Sequence, residues 1–157
     1  MIDPAAGKRI GTISLGAAPE FAFSDGAGHL YVNSEDWSAV AEIDAGAMKV
    51  TRHWSLAPGK SPSGLALDRM HHLLFSTCRN RLMVISDAVT RRVVGTMPIG
   101  EGEDGCAFDP GTELALATCG GGTGTLAIVH VSDGVSMWSL TIPLCWMRGA
   151  GPRTETR

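Results

Sequence analysis

The sequence predicts an all-β protein of repeated four-stranded units, and three observations carry that prediction. SPSGLALDRMHHLLF (Ser61 to Phe75) recurs upstream as APEFAFSDGAGHLYV (Ala18 to Val32) and downstream as EDGCAFDPGTELAL (Glu103 to Leu116), making Asp25, Asp68 and Asp109 equivalent at spacings of 43 and 41 residues. A second aspartate recurs between these copies, at Asp3, Asp44, Asp87 and Asp133, each time followed by a short turn and a β-prone run. Finally, the apolar runs are short, rich in β-branched residues and separated by Gly and Pro, and no window sustains a helical period over three turns. A period of about 42 residues made of such runs marks a blade array, with little or no helix.

The elements follow in chain order. IDPAAGKRIGTISLG, IDAGAMKVTRHWSLA and SDAVTRRVVGTMPIG, starting at Ile2, Ile43 and Ser86, superimpose without gaps, and each reads as a turn followed by an outer strand. The first copy gives an outer strand over 7–15, with Ile10, Ile13 and Leu15 among polar residues. Strands are then expected over 20–24, 30–33, 39–43 and 49–56, over 63–67, 73–77, 82–86 and 92–99, and over 104–108, 114–118, 125–131 and 136–142. The expected organisation is a partial β-propeller over 1–142: one preceding outer strand, then antiparallel blades at about 20–56, 63–99 and 104–142, with an irregular tail over 143–157. Superposition also groups Leu15 with Leu56 and Ile99, and Trp54 with Ile13 and Met97, which reads Trp54 as a packing residue.

The repeat aspartates read as turn residues. An Asp carboxylate accepts hydrogen bonds from the backbone just ahead of it, and DGAG at 25–28 and DPG at 109–111 add the Gly and Pro of tight turns. A residue present in every unit serves the scaffold, whereas one active site needs unlike residues. Cys78, Cys106, Cys119 and Cys145 form no Cys-x-x-Cys pair and read as buried or idle thiols. Cys78 and Cys119 each lie ten residues after their repeat aspartate, and this equivalence suggests that they approach one another.

The totals exclude some classes of function. A net charge of −3 without a block of like charges gives no electrostatic footprint for nucleic acid and no polybasic membrane anchor. No apolar run is long enough for a membrane-spanning helix, and MIDPAAGKRIG lacks the layout of a secretory signal.

HLYVNSED (29–36) followed by VAEIDAGAMKV (40–50) resembles the YVTN β-propeller repeat family, the match being carried by Tyr31, Val32, Asn33, Ile43 and Asp44. KSPSGLALD (60–68) is similar to the start of that family's inner strand, and FDPG (108–111) to its turn, so the resemblance covers about residues 2–142. It implies a relation to YncE-like proteins, commonly exported rings of seven blades whose fold is not itself catalytic. Three blades fall short of the roughly four to eight that close a ring. The chain is therefore expected to be a fragment of a larger propeller, or else a gene remnant with no independent function. Met1 stands where the family has the valine of Val-Ile-Asp, and Met147 to Ala150 resembles the opening of a further inner strand.

No catalytic constellation, metal site or cofactor motif emerges. The EGED run at 101–104 lacks the rest of a calcium loop, the GGGTG run at 120–124 lacks the Lys-Ser/Thr and helix of a phosphate loop, and no two histidines stand at zinc-ligand spacing. Ligand contacts are expected on the face where the loops from outer to next inner strand and from second to third strand emerge. Its candidates are Glu20, Glu35, Trp37, Lys60, Ser63, Arg79, Asn80, Glu103 and Asp104, with Asp36, Glu101 and the glycine run beside them. The expected function is a scaffold binding an unknown protein or small ligand. The alternative is part of a propeller enzyme, lactonase-like or resembling a quinoprotein dehydrogenase subunit. Blade faces left uncovered would also favour self-association.

Overall fold

The computed structural model describes residues 1–132 and 136–143. A two-stranded hairpin, β1 (Ile2–Asp3) and β2 (Lys8–Arg9), precedes three four-stranded antiparallel sheets. Blade 1 consists of β3 (Pro19–Ser24), β4 (His29–Ser34), β5 (Ala39–Asp44) and β6 (Lys49–Ser55). Blade 2 holds β7 (Pro62–Asp68), β8 (Leu73–Cys78), β9 (Leu82–Asp87) and β10 (Arg92–Pro98). Blade 3 holds β11 (Glu103–Asp109), β12 (Leu114–Cys119), β13 (Thr125–Ser132) and β14 (Ser136–Pro143). Each blade is an up-and-down meander, and no helix occurs among the described residues.

The strand expected over 7–15 is a correction: only Lys8–Arg9 is paired, against Ile2–Asp3. Beyond Arg9 the pairing continues only to Met1, whose carbonyl accepts from Ile10 N (3.1 Å) and whose amino group donates to Gly11 O (2.6 Å). Ile13 and Leu15 nevertheless pack on Val32, Ala41 and Ile43, as a preceding blade's outer strand would.

Turns are closed as their chemistry dictates. Asp25 accepts from the amides of Ala27 (2.7 Å) and His29 (2.9 Å), Asp68 from Met70 (2.9 Å) and His71 (3.3 Å), and Asp109 from Gly111 (3.0 Å). Asp3, Asp44 and Asp87 do the same in the turns between third and fourth strands. Asp133 lies outside the described residues. The turn of blade 2 is one residue longer than that of blade 1. His71 is the one that meets its aspartate, Nδ1 to Asp68 Oδ2 at 2.6 Å, as His29 Nδ1 meets Asp25 Oδ2 at 2.9 Å.

His72 instead takes the left-handed position just before its strand, at φ 57°, as do Ser38, Met48, Arg81, Arg91 and Glu113 before theirs. A side chain there costs roughly 1–2 kcal/mol that glycine avoids, against glycine's own entropic cost of about 0.5–1 kcal/mol. Replacing the exposed His72 by glycine is therefore expected to stabilise the fold by a few tenths to about 1 kcal/mol, read as a rise of about 1–3 °C in a thermal melt.

The core lies between blades. Blades 1 and 2 enclose Tyr31, Val40, Trp54, Leu56, Leu65, Leu74 and Val84, while blades 2 and 3 enclose Phe75, Met83, Ile85, Ile99, Ala117, Ala127 and Val129. Leu56 and Ile99 plug the two interfaces from the connections between blades, and Leu15 occupies the same place before blade 1. Trp54 is 7% exposed, lies edge-on to Tyr31 and donates its Nε1–H to Ser86 Oγ (3.3 Å), the packing role its repeat position implied. Cys78 and Cys119 belong to different interfaces, so the expected approach does not occur. Cys119 instead influences Cys106, and burial pushes the thiols of Cys78 and Cys106 up to about 12, which makes them inert at neutral pH. Cys145 lies outside the described residues.

Candidate functional site

Every inner strand starts with a bulge at the same place: the register shifts between Pro19 and Ala22, between Pro62 and Leu65, and between Glu103 and Cys106. A bulge bends its strand and re-aims the side chains beside it, here at the start of each inner strand on the loop face. The loops of this face are tied pairwise by the backbone. Glu35 N donates to Ala18 O (3.0 Å), Arg79 N to Lys60 O (3.0 Å) and Gly120 N to Gly102 O (2.7 Å). Glu35, Arg79 and Gly120 thus occupy one repeat position with three different chemistries.

That position joins neighbouring blades. Arg79 Nη1 lies 2.8 Å from Glu35 Oε1 across the boundary between blades 1 and 2. Glu103, which replaces the prolines at 19 and 62, accepts a hydrogen bond from Ser63 and feels the charges of both Arg79 and Glu35. Partial burial is the largest influence on its carboxyl and moves it above the usual carboxylate range. Its own backbone amide, Arg79 and Ser63 pull the other way, and Glu35 adds to the rise. Ser63 Oγ also sits 3.4 Å from Thr77 Oγ1. Four of the nine candidates, Glu35, Ser63, Arg79 and Glu103, therefore form one polar cluster drawn from three blades.

The other five stand apart from it. Asn80 holds the connection between blades 1 and 2: its Oδ1 accepts from Lys60 N (2.9 Å) and its Nδ2 donates to Pro58 O (3.0 Å), beside the cis Ala57–Pro58 bond. Trp37 lies edge-on to His53, with ring centroids 5.0 Å apart, and covers Gly16, where an added Cβ would sit 3.2 Å from its ring. Half of its surface remains exposed. Glu20, Lys60 and Asp104 are exposed, and none takes part in an ion pair among the described residues. Asp36 Oδ2 accepts from Ala18 N (3.3 Å), and Glu101 pairs with Arg81 at 2.6 Å.

The histidines keep away from the cluster. His29 and His71 pair with turn aspartates, His53 meets Trp37, and His130 stacks on Trp138. Among the described residues no three His, Cys, Asp or Glu side chains are grouped as a metal ion would require. The arrangement can accept and donate hydrogen bonds and match a charged partner.

Sequence reasoning missed the groups that lock blade 1 to blade 2. Asn33 is fully buried; its Nδ2 donates to Gly64 O (2.9 Å) and Ser63 O (3.1 Å), while its Oδ1 accepts from Ser76 Oγ (3.0 Å). The available signal was an amide inside a strand, where the register of the other blades puts Thr77 and Thr118. Glu42 pairs with Arg91 at 2.9 Å, and Arg69 donates to Ser24 O (2.8 Å) and Asp25 O (2.9 Å) while lying over the Phe23 ring. These last struts close the face opposite the loops, around a pocket of about 150 Å³ lined by Asp25, Tyr31, Arg69 and His72.

Solved structures with the same arrangement of strands are β-propellers. The chain superimposes on Kuenenia stuttgartiensis hydrazine synthase with a TM-score of 0.68 at 16% identity, covering 77% of this chain and 35% of that one. It superimposes on the β-propeller domain of Myceliophteria thermophila Cps50 (Swd1) with a TM-score of 0.62 at 17% identity, covering 77% and 38%. For the WD40 repeats of RRP9 the values are 0.65 and 14%, covering 81% and 39%. At such identities the likeness establishes the fold alone: this chain is a partial β-propeller. It spans between about a third and two fifths of the length of those chains. No protein-family profile matches the sequence, and no curated protein matches it significantly.

Proposed function

We propose that this chain is the three-blade portion of a YVTN-type propeller and works as a non-catalytic binding scaffold, engaging a protein partner through its loop face. The observation that carries this reading is the convergence of Glu35, Ser63, Arg79 and Glu103 from three blades. Scaffold residues recur between units, as the turn aspartates do. These four do not, and unlike residues gathered at one mouth are what recognition of a particular partner requires. Structural neighbours that include WD40 repeats support the reading by analogy of fold. The YVTN assignment rests on Tyr31, Val32, Asn33, Ile43 and Asp44.

The test is affinity capture from a lysate of the source cells, with wild-type and variant protein immobilised side by side. Arg79→Glu reverses the charge at the cluster and is expected to lower recovery of the specific partner at least tenfold, a loss of about 1.4 kcal/mol. Lys49→Glu, at the start of the outer strand of blade 1, is expected to leave recovery unchanged. Equal recovery by both variants would refute the loop face as the binding surface.

A further inference from the structure

The pocket of about 150 Å³ opposite the loops is walled by Asp25, Tyr31, Leu67, Arg69, His72 and Ala88. Its whole wall lies within residues 25–88, in the crevice between blades 1 and 2, which pack directly on one another. Tyr31 is only 8% exposed, yet its hydroxyl has no hydrogen-bond partner among the described residues. Buried polar groups are ordinarily paired. Strand register puts Phe75 and Leu116 at the same position in blades 2 and 3, so packing there needs no hydroxyl. Burial, then the charges of Glu42 and Asp25, raise the phenol above its ordinary range, with Arg91 acting the other way; it stays protonated and presents a donor.

Arg69 brings the charge. Its Nε and Nη2 donate to Asp25 O (2.9 Å) and Ser24 O (2.8 Å), which fixes the guanidinium across the blade boundary over the Phe23 ring. Neither Arg69 nor His72 takes part in an ion pair among the described residues, and Nη1 of Arg69 has no hydrogen-bond acceptor among them. The carboxylates nearby are already answered. Asp25 accepts from the amides of Ala27 and His29 and meets the His29 ring, and Glu42 pairs with Arg91 at 2.9 Å. The pocket therefore offers donors and a positive charge without a carboxylate partner, beside the apolar side chains of Leu67 and Ala88.

We propose that this pocket binds a small carboxylate, with its anionic end on Arg69 and Tyr31 and a short hydrocarbon end against Leu67 and Ala88. The planar guanidinium fork matches a carboxylate, and the apolar wall favours an organic anion over an inorganic one. At about 30 Å³ for each water-sized group, the volume holds about five heavy atoms, the size of propionate. The site lies on the face opposite the loop cluster and does not rest on the function proposed for that cluster.

Two-dimensional ¹H–¹⁵N NMR of the full chain, titrated with sodium propionate to about 50 mM at constant ionic strength, tests this. Saturating shifts are expected at the amides of Ala27, Arg69, His72 and Ala88, with half-saturation on the order of 1–10 mM. Arg69→Gln is expected to weaken binding at least tenfold, about the effect of losing a charge-assisted pair. Tyr31→Phe keeps the ring edge-on to Trp54 and is expected to weaken binding roughly three- to tenfold with no fall in the thermal midpoint. Sodium phosphate and neutral 1-propanol are expected to give no saturating shifts at these amides. Wild-type shifts that fail to saturate, affinity unchanged in either variant, or phosphate or propanol binding as well as propionate would each overturn the proposal. So would a marked loss of stability in Tyr31→Phe, since the hydroxyl would then be bonded within the fold. None of these outcomes involves Arg79, so failure here and failure of the loop-face reading are distinguishable.

Discussion

Replacing Phe75 by alanine is expected to destabilise the protein by about 3–5 kcal/mol, seen as a fall of roughly 8–15 °C in the thermal midpoint and an earlier urea transition. Phe75 is fully buried at the centre of the interface between blades 2 and 3 and stacks on Phe108, with centroids 5.4 Å apart and planes 11° from parallel. Its neighbours sit on two strand-paired sheets whose backbones hold them in place, so the space left by the ring closes only in part. The cost is therefore the lost transfer energy together with an unfilled cavity. Val84→Ala, a smaller deletion at the other interface, is expected to cost less than half as much. Equal losses would mean that blade 3 is docked more loosely than the packing indicates.

Replacing Asn33 by leucine is expected to cost about 2–5 kcal/mol despite the near-equal volume. The change leaves two carbonyls, Ser63 O and Gly64 O, without the amide that bonds them and deprives the Ser76 hydroxyl of its acceptor. An orphaned buried polar group costs about 1–3 kcal/mol. The loss is expected to be non-additive with Ser76→Ala, because one residue bridges both, and a double-mutant cycle measures the coupling. Additive losses would show that the bridge is not formed. Asn33 also meets Gly64 where the backbone of blade 2 lies against that of blade 3: a Cβ on Gly64 would lie 2.9 Å from Cys106 N and 3.0 Å from Asp104 O. One amide and one missing side chain thus fix blade positions on both sides of blade 2.

Much of the architecture could be read from the sequence because propeller repeats are local. Every strand of the three blades begins within one residue of the position that the alternation and turn residues indicated. The aspartates were legible because an Asp turn is closed by residues only two to four places away. What failed depended on partners distant in sequence. Of the strand expected over 7–15 only Lys8–Arg9 is assigned as strand, paired with Ile2–Asp3. Cys78 and Cys119, equivalent by repeat position, lie in different interfaces.

The candidate site was legible as a face and not as a cluster. Residue type and loop position gave nine names, but only the bulges and the contacts between blades separate Glu35, Ser63, Arg79 and Glu103 from the remainder. Asn80 and Trp37 have the composition of ligand residues and are used to hold loops and the N-terminal segment. Asn33 escaped notice for the opposite reason: inside a Tyr-Val-Asn strand it reads as part of a motif, and its three bonds reach residues 30 to 43 positions away.

Native-state hydrogen exchange followed amide by amide tests the central claim, that three blades stack in sequence order with blade 2 enclosed on both faces. The slowest-exchanging amides are expected in β8 and β9, whose faces are both buried; β12 and β13 should exchange faster, and β14 fastest among the strands of blade 3. Protection greatest in blade 3, or uniform across the three blades, would contradict the stacking order.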